Sequence, residues 1–216
     1  KVVVDAGNGM AGHTAVSVLG GRSLDLVGLF LDLDGTFPNH PANPLEPENL
    51  VDAQRAVRDS GADLALVFDG DADRCFIIDE RGEVVDPSVV TAMIAVAELA
   101  KHPGATIVTN TITSWCVDEA VEAAGGTVVV SNVGHTYVKA MMAETGAVFG
   151  GEHSAHYYFR DFWSADTGML AALHILELVR ESDRPLSELA AVYDGYARSG
   201  EINSTVEDAA HSMETV

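Results

Sequence analysis

Apolar runs of strand length alternate with amphipathic stretches of helix length along almost the whole chain. Residues 2–5 (VVVD) read as a buried strand, followed by a glycine-rich turn over 6–12 and a helix over about 13–19. Residues 24–33 predict the next strand. The segment 37–47 (FPNHPANPLEP) carries too many prolines for regular structure and predicts a stiff loop that feeds a helix over 48–60, capped by Gly61. A strand over 63–68, a polar loop, a return strand over 74–79, a short strand over 83–85 and a helix from Asp86-Pro87-Ser88 to about Lys101 complete the series. His102-Pro103-Gly104 then reads as a boundary.

The second half repeats the order: a strand over 105–109, a helix over 115–124 ended by Gly125-Gly126, a strand over 127–131 and a helix over 136–145 ended by Gly146. A strand over 147–150 runs into a polar loop, residues 157–159 return, and a long helix covers 167–181. Two copies of one α/β unit are therefore expected, over 1–103 and 104–200, with Asp69 and Glu152 at matching places. After a short helix over 186–198, the polar tail 201–216 reads as a hinge toward a further domain. The chain opens on a strand with no initiator Met, which reads as a piece of a longer polypeptide.

Composition narrows the partners. With 47% apolar residues over 216 positions the chain can bury one large or two small cores. Its 33 acidic and 12 basic side chains give a formal net charge of −21, which disfavours nucleic acid and anionic membrane surfaces. An anionic substrate would then depend on a metal or on locally placed cations. Cys75 and Cys116 form no CxxC pair and sit in apolar or mixed segments, which predicts reduced structural thiols in a cytoplasmic setting. No signal peptide precedes the first strand, and the longest apolar stretch, 169–179, is interrupted by His174 and Glu177 and too short to span a bilayer.

The most informative loop is DGDADR (69–74), between the strand LALVF and the strand CFII. Asp69, Asp71 and Asp73 repel one another unless a cation neutralises them, and an all-oxygen donor set points to a hard ion such as Mg²⁺. These residues with Glu80 fall at positions one, three, five and twelve of an EF-hand. That reading fails, because Arg74 stands where a glycine is needed and the flanks are strands rather than helices. Arg74 either neutralises the carboxylates or reaches a phosphate beside the metal. In the matching loop, Glu152 and Ser154 flank His153 and lie on one side of an extended segment, where a carboxylate can accept from two sugar hydroxyls. A capped turn explains that pair equally well. His135 and His156 are candidates for proton handling, or satisfied structural histidines. Gly7-x-Gly9-x-x-Gly12, with Asp32 and Asp34 beyond it, formally matches a dinucleotide fingerprint, but Asp5 would push against a pyrophosphate. The aromatics at 157–163 could suggest a carbohydrate platform, but alternate strand residues point into the core, so about half read more simply as core or interdomain packing and none is assigned to a site.

These motifs resemble the α-D-phosphohexomutases, in their phosphomannomutase and phosphoglucomutase branch. The resemblance is carried by DGDADR (69–74), GEHSAHYYFRDF (151–162), VGHTYVK (133–139), the opening VVVDAGNGMAG and the later FPNHPANPLEPENL. It implies two tandem three-layer α/β domains, each with a mixed β-sheet, the second and third of a four-domain enzyme. Such an enzyme interconverts hexose 1-phosphates and hexose 6-phosphates through a phosphoserine and a bisphosphate intermediate. It further implies one Mg²⁺ held by Asp69, Asp71 and Asp73, a hexose 1,6-bisphosphate activator, Arg74 against the phosphate, Glu152, His153 and Ser154 at the sugar, and His135 and His156 lining the site.

The departures are large. The family's serine loop and the arginine-rich phosphate loop of its last domain are absent, so the resemblance predicts that the present chain is inactive alone. Residues 109–116 (TNTITSWC) also lack the Lys or Arg that relatives often carry there. Two other functions stand beside this one, a dinucleotide-dependent oxidoreductase using Gly7 to Gly12 and a non-catalytic, metal-dependent sugar-phosphate binding module. No residue is dedicated to telling mannose from glucose.

Overall fold

The computed structural model of the chain describes residues 1–197, 200, 205 and 206. Two five-stranded mixed sheets repeat one topology. In the first, β1 (Val2–Asp5) lies between β2 (Leu26–Leu29) and β3 (Leu64–Phe68), both parallel to it; β4 (Cys75–Asp79) returns antiparallel on β3, and β5 (Val84–Val85) on β4. In the second, β6 (Thr106–Asn110) lies between the parallel strands β7 (Thr127–Ser131) and β8 (Phe149–Gly151); β9 (Tyr157–Phe159) returns on β8, and β10 (Ala165–Asp166) on β9. The two orders correspond strand for strand. β1, β3 and β4 are buried along their whole length, which is why they read as unbroken apolar runs rather than alternating ones.

Helices α1 (Ala11–Leu19), α2 (Val51–Ser60), α3 (Pro87–Lys101), α4 (Trp115–Ala123), α5 (His135–Thr145), α6 (Gly168–Ser182) and the short α7 (Leu186–Ala190) cover the sheets. Local chemistry sets their ends. Asp86 accepts from the Ser88 N–H with Pro87 in the first turn, Thr167 accepts from Leu170, and α2 and α5 stop at Gly61 and Gly146 with φ of 60° and 68°. Two helices bridge the sheets: α3 touches both β4 and β8, while α6 packs on β4 and on α3. One apolar core therefore runs through both units, with a smaller cluster, Val108, Val138, Met142, Ala147 and Tyr158, under α5.

The structure corrects several boundaries. The strand expected over 24–33 covers only Leu26–Leu29, because the chain turns at Phe30 with φ 51°. The helix expected from 48 opens as a 3₁₀ turn, Pro47–Leu50, and becomes α-helical at Val51. The helix expected over 186–198 ends at Ala190, where residues 191–193 tighten into turns. Apart from residues 205 and 206, the hinge expected over 201–216 lies outside the described residues. A 3₁₀ turn at Arg160–Phe162 and β10 were not anticipated; both are too short for periodicity to register. Among the described residues no helix is long and apolar enough to cross a membrane.

Candidate functional site

Phe68 pairs with Cys75, so residues 69–74 close the β3–β4 hairpin. The loop turns at Ala72, whose φ is 66°, a left-handed conformation that costs a non-glycine residue free energy and marks an imposed shape. Asp69 is 2% exposed and accepts from the Arg74 Nε at 2.7 Å and the Arg74 backbone N–H at 3.1 Å. Burial pushes its carboxyl up to about 6 in spite of those bonds. Asp71 is exposed, and Asp73 is half-buried with its Oδ1 enclosed and without a hydrogen-bond partner among the described residues. One carboxylate oxygen from each of Asp69, Asp71 and Asp73 lies within 4.8 Å of the other two. Three hard oxygen donors converge here, and Asp73 Oδ1 has the Arg74 Nε at 3.8 Å but accepts no hydrogen bond from the described residues, an arrangement that fits a divalent cation of the Mg²⁺ kind.

The glycine-rich turn supports this loop instead of forming a nucleotide cradle. Met10 N–H donates to the Gly70 carbonyl at 2.9 Å, and a Cβ on Gly9 would lie 2.6 Å from that oxygen. A Cβ on Gly12 would lie 2.0 Å from the Leu31 carbonyl. These glycines are needed for the close approach of backbone to backbone.

Residues 152–156 close the matching β8–β9 hairpin, and Ala155 has the same φ, 66°, as Ala72. Glu152 is 2% exposed; its Oε1 accepts from the Asn110 side chain at 2.7 Å and the Gly134 N–H at 3.2 Å, and its Oε2 accepts from the Tyr158 hydroxyl at 2.5 Å. What acceptor capacity remains is at Oε2, where the His156 Nδ1 stands 3.5 Å away. Ser154 Oγ meets the same Nδ1 at 2.8 Å. The His156 Nε2 is 3.6 Å from Asp73 Oδ2, and the two loops join by a backbone bridge between Arg74 and His156, with Cys75 N–H donating to the Ala155 carbonyl at 3.4 Å. The imidazole beside Asp73 holds that carboxyl below the usual range. His156 itself is pulled down by burial, but Asp73 and Glu152 outweigh this and leave it raised.

The structure therefore brings Asp69, Asp71, Asp73, Arg74, Glu152, Ser154 and His156 together. It does not bring in the other two. His153 turns away to Ser88 Oγ at 2.9 Å and Asp86 at 3.6 Å on α3, and His135 is exposed on the first turn of α5, where its neighbour Gly134 makes the contact with Glu152. Four members were missed by sequence reasoning. Asn110 and Tyr158 bind Glu152, Asp166 offers an oxygen within 4.8 Å of ligand atoms on Asp73 and His156, and the Lys139 Nζ meets Asp166 at 2.7 Å. A buried asparagine ending a strand was a usable signal, and Tyr158 lies on a strand that was foreseen without its hydroxyl being given a role; Asp166 and Lys139 depend on β10, which was not foreseen.

Comparison with known proteins bears on the fold that carries these loops. The family model "Phosphoglucomutase/phosphomannomutase, alpha/beta/alpha domain II" matches residues 1–82, and that of domain III matches residues 86–196. A phosphomannomutase of Salmonella montevideo is 41% identical over 224 aligned positions, covering 100% of this chain and 49% of its own. A phosphomannomutase of Escherichia coli K12 is 42% identical, covering 94% and 46%. A solved phosphoglucomutase/phosphomannomutase family protein from Burkholderia thailandensis superposes with a TM-score of 0.84 at 35% identity, covering 88% of this chain and 42% of that one. The chain spans about half the length of these relatives. With both domain models matched in order and both sheets in place, the chain belongs to the phosphoglucomutase/phosphomannomutase family.

Proposed function

We propose that the chain is the central part of a phosphohexomutase that interconverts hexose 1-phosphates and hexose 6-phosphates, with a phosphoserine supplied by polypeptide outside these residues. The observation that carries this reading is the meeting of two matched hairpin loops, one with three converging carboxylates and one with Glu152, Ser154 and His156, across the Arg74–His156 bridge. Asp69, Asp71 and Asp73 would hold Mg²⁺, which when bound neutralises charge on a transferring phosphoryl group. Arg74, anchored on Asp69 through Nε, has its terminal nitrogens left for a phosphate oxygen. Ser154 offers a hydroxyl to the sugar, and Glu152 a remaining lone pair, its carboxylate fixed by Asn110, Gly134 and Tyr158. His156, between Asp73 and Ser154, can hold or return a proton of a sugar hydroxyl. His135 and His153 remain candidates at the rim, and a hexose 1,6-bisphosphate is the expected activator.

The test is calorimetric and kinetic. With Mg²⁺ present, the 216-residue chain is expected to bind mannose 1-phosphate or glucose 1-phosphate but not to isomerise either. The longer natural polypeptide containing it is expected to isomerise at least one. Turnover by the 216 residues alone would overturn the assignment of the phosphoserine elsewhere; no binding of either sugar phosphate would overturn the function.

A further inference from the structure

The loops at the carboxyl edge of the second sheet, residues 111–114, 132–134 and 152–156, contain no lysine or arginine. A dianionic sugar phosphate entering between Asp69, Asp73, Glu152 and Asp166 nevertheless needs positive charge on that side as well as from Arg74. Among the described residues the second unit has few candidates. Arg160, Arg180 and Arg184 pair with Asp161, with Glu177 and Glu181, and with Glu188, all on exposed surfaces. Lys139, on α5, is placed differently. Its ammonium meets Asp166 at 2.7 Å and lies 5.8 Å from the centroid of Tyr158, the ring whose hydroxyl donates to Glu152. Asp166 in turn reaches within 4.8 Å of ligand atoms on Asp73 and His156, so Lys139 ends a chain of polar contacts that runs from Arg74 through Asp73, His156 and Asp166.

The two partners of this pair are unequally covered, with the Asp166 side chain 9% exposed and that of Lys139 36% exposed. A lysine has three N–H donors, and Asp166 is its single hydrogen-bonding partner among the described residues. The carboxylate thus fixes the ammonium at the cleft and leaves donors to spare. We propose that Lys139 is a substrate-binding residue of the second unit, contacting a phosphate oxygen of the hexose phosphate while Asp166 holds it in position. This rests on the hexose-phosphate reading above.

The experiment titrates the 216-residue chain and its Lys139→Met, Lys139→Arg and Asp166→Asn variants with Mg²⁺ alone, then with mannose 1-phosphate and glucose 1-phosphate in saturating Mg²⁺. Expected are a tenfold or greater loss of sugar-phosphate affinity in Lys139→Met, a loss of no more than about threefold in Lys139→Arg and Asp166→Asn, which keep the cation, and unchanged Mg²⁺ affinity throughout, the contact being a charge-assisted hydrogen bond. If the wild type binds the sugar phosphate and Lys139→Met binds it equally well, the inference fails while the proposed function stands. Equal losses in Lys139→Met and Asp166→Asn, or a parallel loss of Mg²⁺ affinity, would make the pair merely structural and overturn the inference. A wild type that binds neither sugar phosphate overturns the underlying function instead.

Discussion

Gly168 opens α6 against the backbone of the three-carboxylate loop, and replacing it with alanine tests how tightly the second unit grips the first. An added Cβ would lie 2.6 Å from the Arg74 carbonyl oxygen, 2.7 Å from the Arg74 carbonyl carbon and 3.1 Å from the Ala72 carbonyl oxygen. Carbon–oxygen contacts in proteins sit at about 3.3–3.6 Å, so the helix start or the loop must retreat by about 0.7 Å or more. The neighbours are main chain, not flexible side-chain ends. Overpacking of this kind costs about 1–3 kcal/mol, against a helix-propensity gain of at most about 1 kcal/mol for alanine over glycine. Gly168 is the first helical residue, where that helix-interior gain hardly applies, so the clash wins with a loss of about 1–3 kcal/mol, or a fall in Tm of about 2–12 °C for a chain of this size. Because the displaced atoms include the carbonyl next to Asp73, Mg²⁺ affinity measured by calorimetry falls too. Gly21→Ala, with nothing within 4 Å of its Cβ, is the control and leaves both quantities unchanged. A Gly168→Ala protein with the wild-type Tm and the wild-type Mg²⁺ affinity would refute the coupling.

Asp71→Asn is expected to lower Mg²⁺ affinity at least about tenfold without changing metal-free Tm, since Asp71 is exposed; equal Mg²⁺ binding would remove it from the ligand set. The Asp69 carboxyl, raised to about 6 by burial, gives two opposed pH trends. Its ionised form is the ligand, so Mg²⁺ affinity declines by about tenfold per pH unit below about 6. The folded state meanwhile binds the proton more tightly than the unfolded chain, so metal-free stability gains from this group as pH falls from about 6 toward 3.8. A Mg²⁺ affinity flat from pH 7 to 5 would contradict the assignment. Tyr157, fully buried with its hydroxyl unpartnered among the described residues, predicts that Tyr157→Phe matches or exceeds wild-type stability, by up to about 2 kcal/mol in urea unfolding; a loss above about 1 kcal/mol would reveal a bond. Cys75 is a buried thiol that burial pushes far up, so in native protein it should resist a thiol reagent that labels it in urea.

Much of the fold was legible because long buried strands such as Leu64–Phe68 leave continuous apolar runs and helix ends such as Asp86-Pro87 and Gly146 carry their own stop and start chemistry. The carboxylate loop was legible for the same reason: three acids between two such strands have few stable arrangements. Side-chain direction was not. Glu152 and His153 are neighbours in sequence, yet one is turned inward to Asn110 and Tyr158 and the other outward to Ser88, a choice made by the α3 start packed beside them. The Lys139–Asp166 pair was invisible because it joins a helix to a two-residue strand that no local pattern announces.

The crossing of α3 and α6 between the sheets has a consequence for how the chain is made. Residues leave a ribosome in order, and β4 emerges long before Gly168–Ser182, the helix that lies on it. The first sheet can form its hydrogen bonds early, but its β4 face stays without that cover until synthesis has passed Ser182. A chain stopped before Gly168 is therefore expected to leave apolar surface on β4 uncovered and to aggregate more readily than the 216 residues.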